Sequence, residues 1–152
     1  MKPHEKLQAH WGDEPAFATT ALSEAEVSAI ERRLGVSFPP DFRDYVRFAC
    51  PDLQEDDYAM DDATTWWPRA RLTSIAIESP DHGDLNPAVA GKRDQFIYFA
   101  DWLFWCGAWA IGCGASSERG RIVHIGGKED PFVANSFAEF VDMYLVDWRD
   151  LF

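Results

Sequence analysis

Residues 52 to 62, "DLQEDDYAMDD", carry Asp52, Glu55, Asp56, Asp57, Asp61 and Asp62 with no base among them. Clustered carboxylates can hold calcium or magnesium, but such sites need spaced ligands, as in D-x-D-x-D-G followed by a distant Glu. That spacing is absent, so the run is expected to be a solvated or partner-facing loop. The histidines (His4, His10, His82, His124) show no i, i+4 pairing and no H-E-x-x-H. His124 alternates with Val123 and Ile125 inside a strand-like run, which suits a structural or surface residue better than a base. Ser116 and Ser117 lie in a turn without the G-x-S-x-G spacing of an activated serine. Gly126-Gly127-Lys128 lacks the G-x-x-x-x-G-K-[ST] frame that cradles phosphate. No catalytic residue, metal site or cofactor is expected.

The tryptophans carry more information, with seven in 152 residues. Trp66, Trp67, Trp102, Trp105 and Trp109 flank predicted strands, and about three of them are assigned to the core because large aromatics bury most of their area. Any left exposed among charges would be binding anchors. Trp66 and Trp67 come first, since adjacent strand residues face opposite ways and both cannot enter one core layer. Asp101 and Trp102 come second. The candidate partner-binding set is therefore Asp56, Asp57, Asp61, Asp62, Trp66, Trp67, Asp101 and Trp102.

Several elements must position these residues. A chain of 152 residues suits one domain and can bury roughly two-thirds of its unfolded surface. Residues 1–21 read as a polar arm with Trp11 and Phe17 as anchors, ahead of a domain over 22–152. In "LSEAEV", Ser23 and Glu26 form a capping box, with Leu22 and Val27 placed for a hydrophobic staple. Val27, Ile30 and Leu34 share one helical face, and Gly35 stands where a left-handed residue ends a helix. "VSF" links to a second helix, with Pro39 holding Phe38 extended and Pro40 pre-set for a first turn. Phe42, Tyr45, Val46 and Ala49 mark its buried face.

"WWPRARLTSIAI" reads as a strand that Pro68 pushes toward a sheet edge. One helical turn is expected at 86–93. Strands are expected at "FIYFAD" (96–101), within "FWCGAWAIGCG" (104–114) and at "RIVHIGG" (121–127), the last two joined by an "ASSERG" hairpin. "NSFAEFVDMYLVDW" closes the chain as a helix with a second capping box, Ser136 and Glu139. Helices, then strands, then a helix give an α+β domain: a mixed, mostly antiparallel sheet flanked by two N-terminal helices and one C-terminal helix.

Bulk properties narrow the partners. A net charge of −12 repels nucleic acid and anionic membrane surfaces, and it serves either solubility or the encounter with a basic protein. Cys50, Cys106 and Cys113 are odd in number and form no C-x-x-C, as expected of free thiols in a reducing cytoplasm. The N-terminal stretch has no apolar core of a secretory signal, and "WLFWCGAWAI" is too short to span a bilayer.

The ordered set Leu22, Ser23, Glu26, Glu31, Leu34, Gly35, Phe38, Pro39, Asp41, Phe42 and Tyr45 resembles the opening of the SUKH superfamily, which joins fungal cell-wall-synthesis regulators to bacterial toxin-immunity proteins. "FIYFAD…AWAI…RIVHIGG" and "SFAEFVDMYL" resemble its strand block and closing helix, extending the resemblance over about residues 22 to 148. Similar proteins usually follow the second helix with a short Asn-Gly turn, where this chain has "ACPDLQEDD". The resemblance implies a small sheet flanked by helices and a non-enzymatic role. That role is to bind and neutralise a cognate toxin, often a nucleic-acid-directed enzyme, or alternatively to serve as an intracellular regulatory or scaffolding adaptor. Acids 52–62 would steer the encounter, and exposed tryptophans would supply the contact area.

Overall fold

A computed structural model describes residues 1–54, 56–127 and 130–152; Glu55 of the acidic run and Lys128 of the Gly-Gly-Lys stretch lie outside the described residues. In chain order come helices α1 (Pro3–Trp11), α2 (Glu24–Leu34) and α3 (Pro40–Phe48), then strands β1 (Ala59–Asp61), β2 (Thr64–Trp66) and β3 (Thr73–Ser74). One-turn helices α4 (Ile75–Glu78) and α5 (Pro87–Ala90) precede strands β4 (Phe96–Trp102), β5 (Gly107–Gly112), β6 (Ile122–Ile125) and β7 (Phe132–Ala134), and helix α6 (Phe137–Asp147) follows.

Local chemistry sets the helix ends. Ser23 Oγ accepts the Glu26 N–H at 3.1 Å while Glu26 returns a carboxylate oxygen to the Ser23 N–H at 3.0 Å, completing the capping box. Gly35 ends α2 in the left-handed region (φ 70°), where a side chain would be strained. Its neighbour Val36 donates to the Glu31 carbonyl at 3.1 Å. Pro40 then opens α3, so α2 and α3 are separate rods. Glu31 clamps the junction, accepting from the Phe38 N–H at 2.8 Å and from Arg43 at 3.2 Å. Arg43 also pairs with Glu24 at the start of α2.

The N-terminal segment departs from the expected polar arm. Residues 3–11 form α1, whose Leu7 and Trp11 are buried, and Phe17 stacks on Trp11 with ring centroids 4.1 Å apart. Gln8 donates to the Phe48 carbonyl of α3 at 2.8 Å, and Lys6 pairs with Asp142 of α6 at 2.6 Å. Two apolar residues four apart suffice to dock a helix whose other positions are polar.

The sheet runs β1-β2-β4-β5-β6-β7, with β3 also on β4, and every pairing among the described residues is antiparallel, in keeping with the mostly antiparallel sheet expected. The expected strand through "WWPRARLTSIAI" is broken. β2 pairs with residues 100–102 of β4 and β3 with residues 97 and 98, so the two share one strand position interrupted at Trp67–Leu72. Pro68 has no N–H for the ladder. The register of β4 shifts between Tyr98 and Ala100, and the Phe99 carbonyl there accepts the Trp67 N–H at 2.9 Å. The acidic run is also shorter as a loop than expected, because residues 59–66 form the β1–β2 hairpin, with Asp62 left-handed (φ 54°) at its turn. Asp tolerates that conformation better than most residues.

Both faces of the sheet are covered. On one, Phe99 and Trp66 pack against Phe42, Tyr45, Phe137 and Phe140 from α3 and α6. On the other lie Tyr98 and Trp67, with the Tyr98 hydroxyl donating to Ser79 Oγ at 3.2 Å beyond α4. β4, β5 and β6 are correspondingly buried along nearly their whole lengths.

Candidate protein-interaction surface

Two covered faces decide the fate of the leading anchor pair. Trp66 and Trp67 do point opposite ways, but each enters an interior layer and both are fully buried. Trp66 donates its indole N–H to the Tyr144 hydroxyl at 3.2 Å; Trp67 donates to Asp101 Oδ2 at 2.7 Å and lies under the Arg71 guanidinium at 4.0 Å. The expectation that this pair offers partner contact is corrected: the premise of a single core layer fails. With Trp109 they make three buried tryptophans of the five near the strands, while Trp102 and Trp105 keep some exposure.

Asp101 is also interior, 2% exposed, so it is not a contact residue. Its second oxygen accepts the Trp105 N–H at 3.1 Å. Trp102 is half-buried, stacked on Phe152 with centroids 4.6 Å apart, and donates its N–H to His124 Nε2 at 3.1 Å. An indole N–H only donates, so Nε2 is the unprotonated nitrogen of His124. Burial lowers the pKa of His124, against a smaller opposing pull from Asp130. Gly107 permits this packing, since a Cβ there would fall 2.5 Å from both His124 Nε2 and Trp102 Nε1.

The acids divide into two groups. Asp61 Oδ2 accepts the Tyr144 hydroxyl at 2.7 Å and meets His10 Nε2 at 2.8 Å; Asp62 accepts the Trp148 indole N–H at 3.0 Å. These two fasten the β1–β2 turn to α1 and to the end of α6. Burial, reinforced by Asp61, pushes the Tyr144 phenol well up. Asp56 and Asp57 are exposed, and Asp56 edges a groove of about 610 Å³ with Arg33, Tyr58, Arg71, Ile77 and Glu78.

The most unusual geometry lies where β4 turns into β5. Leu103, Phe104 and Trp105 have φ of 49°, 51° and 69°, three consecutive bulky residues in the left-handed region. That conformation costs an L-residue about 1–2 kcal/mol. Phe104 is 73% exposed and Leu103 46%. Around them the turn is pinned tightly. The Leu103 N–H reaches the Ala63 carbonyl at 2.9 Å, the Cys106 N–H reaches the Trp102 carbonyl at 3.1 Å, and Asp101 holds the Trp105 N–H. The Trp105 ring leans edge-on against Trp67 and Tyr98 at 5.3 and 5.2 Å.

One end of the sheet thus gathers the apolar tip 103–105, the Asp61–Asp62 turn beside it, and the Trp102–Trp148–Phe152 cluster. The candidate set drawn from the sequence includes Asp61, Asp62, Asp101 and Trp102 at this end; Trp105 stands among the five tryptophans weighed as anchors but not in that set, and Leu103 and Phe104 are missed. "WLFWCGAW" reads as a nearly continuous apolar run whose one glycine, Gly107, opens β5, and no Gly, Asn or Asp stands at 103–105 to mark a left-handed turn there. Among the described residues no group of three or more His, Cys, Asp or Glu is placed to hold a metal ion. No helix among them is long and apolar enough to cross a membrane.

Comparison with known proteins gives one match. The family described as SMI1 / KNR4 family (SUKH-1) matches residues 21–143, and this supports a protein-binding module of the immunity or regulatory kind. No curated protein and no solved structure matches the chain.

Proposed function

Because the chain belongs to the SMI1 / KNR4 family (SUKH-1), we propose that it is a non-enzymatic immunity protein that caps a basic, nucleic-acid-directed bacterial toxin in the cytoplasm. The observation that carries this reading is an exposed apolar tip bordered by carboxylates on a chain of net charge −12. Apolar area desolvates on contact, and surrounding charge of one sign speeds encounter with a partner of the other sign.

The exposed acids Asp56 and Asp57 steer the approach, whereas Asp61 and Asp62 serve the fold first. Asp56→Asn with Asp57→Asn should therefore slow association several-fold at low salt and leave dissociation unchanged. An unchanged on-rate removes the steering role. Immunity itself is tested by co-expression with the toxin domain encoded next to this gene, read as growth rescue and as binding of the purified pair. A neighbouring toxin that is neither bound nor neutralised refutes it. Absence of a toxin gene beside this one favours the adaptor role of the cell-wall-regulator type.

A further inference from the structure

We propose that Leu103, Phe104 and Trp105 form a preformed plug that inserts into a concave apolar socket with a cationic rim on a protein partner, and that Asp101 is the positioning residue that holds the plug in shape. This rests on the protein-binding reading above and adds which residues enter the partner and what chemistry receives them.

Three observations converge. A left-handed run of Leu, Phe and Trp is disfavoured by backbone sterics, and apolar side chains held in water gain nothing from it. The surrounding structure nevertheless fixes it from both sides. Ala63 takes one backbone donor, Trp102 another and Asp101 a third, while the Trp105 ring rests on Trp67 and Tyr98. Asp101 is committed to this task, because its two oxygens serve the Trp67 indole and the Trp105 amide, and it has almost no exposure. A plug whose shape is set in the free protein loses little freedom on binding, and that is how a small tip can hold tightly.

Charge chooses the socket. The tip abuts the turn bearing Asp61 and Asp62, and Trp148, bonded to Asp62, leads to Asp147 and Asp150. Among the described residues here, Arg149 is already on Asp147, Arg71 lies over Trp67 and 4.0 Å from Glu78, and His10 meets Asp61. A second copy of the chain would bring like charge against like. A socket rimmed by Lys or Arg complements the surface instead.

The test uses the purified toxin domain encoded beside this gene as probe, with Leu103→Asn, Phe104→Asn and Asp101→Asn, and Ile77→Asn as an exposed apolar control on another face. Asn accepts left-handed backbone, so the two tip variants keep the turn while removing its apolar groups. The expected result is at least a 30-fold loss of affinity for Phe104→Asn, through faster dissociation, with the melting midpoint unchanged or raised. Ile77→Asn should bind like the unsubstituted protein. Asp101→Asn should weaken binding and red-shift Trp105 fluorescence, read as the difference from a Trp105→Phe reference, because the tip loses its fixed shape and the ring leaves Trp67 and Tyr98 for water.

Binding of both tip variants within three-fold of the unsubstituted protein overturns the plug while leaving the protein-binding reading intact. A melting midpoint lowered by either tip variant as far as by a core truncation also overturns it, since the tip would then be a fold element. If the unsubstituted protein does not bind the toxin, the immunity reading itself falls and the plug with it.

Discussion

The two ends of α2 and the β4–β5 tip are all short and tightly hydrogen-bonded, yet their sequences relate to their shapes in opposite ways. At α2, Ser23, Glu26 and Gly35 each prefer the conformation they adopt. At the tip, Leu103, Phe104 and Trp105 each disfavour theirs, and the shape is imposed by Asp101, Ala63 and the rings beneath. Agreement between local preference and global fold is what a stable scaffold needs. Disagreement confined to an exposed apolar turn is what a surface kept for contact shows.

Three substitutions sharpen that contrast. The largest effect falls on the aromatic interior: Trp66→Ala removes a fully buried ring and the donor to Tyr144, and urea unfolding should show a loss of about 3–5 kcal/mol. Next is the locally consistent end, where Ser23→Ala deletes one half of a capping box and should cost about 1 kcal/mol. The smallest change belongs to the tip, where Leu103→Asn should leave stability within about 0.5 kcal/mol of the unsubstituted protein or raise it. A Leu103→Asn loss as large as that of Ser23→Ala would erase the contrast.

Acidity probes the floor of the same end of the sheet. His124 has a lowered pKa in the folded protein, so its contribution is complete above the ordinary histidine value near 6.5 and is lost as pH falls below that toward the lower folded value. Protonation at Nε2 also removes the acceptor of the Trp102 indole. Stability measured by urea titration should decline through that window, and His124→Gln should lose part of the decline. An identical pH profile in the variant would separate His124 from the effect. His4, lowered by burial as well, supplies a second portion and should remain in the variant.

Much of the fold was legible because its signals are local. The capping boxes, the Gly35 stop, the double proline, the β4–β6 strands and α6 all announce themselves in sequence spacing. What escaped depends on distant partners. α1 shows only Leu7 and Trp11 as apolar positions that find a home: Gln8 and Lys6 tie the helix to α3 and α6, and Trp11 packs on Phe17 and Trp66. β1 is three residues of Ala-Met-Asp, whose strand character comes from pairing with β2. Trp66 and Trp67 looked like rivals for one layer because the cover over the second face comes from residues 69–95, a turn-rich stretch with no strong period. The tip escaped for a related reason: its conformation is set by a buried carboxylate that reads in sequence as an ordinary strand Asp.

Amide hydrogen exchange on the complex with the adjacent-gene toxin domain tests the central claim most directly. We predict slowed exchange at residues 102–107 and at the neighbouring 61–64 turn, with little change elsewhere. Protection confined to the separate groove lined by Arg32, Gln95 and Arg119, with the tip exchanging as freely as in the isolated protein, would contradict it.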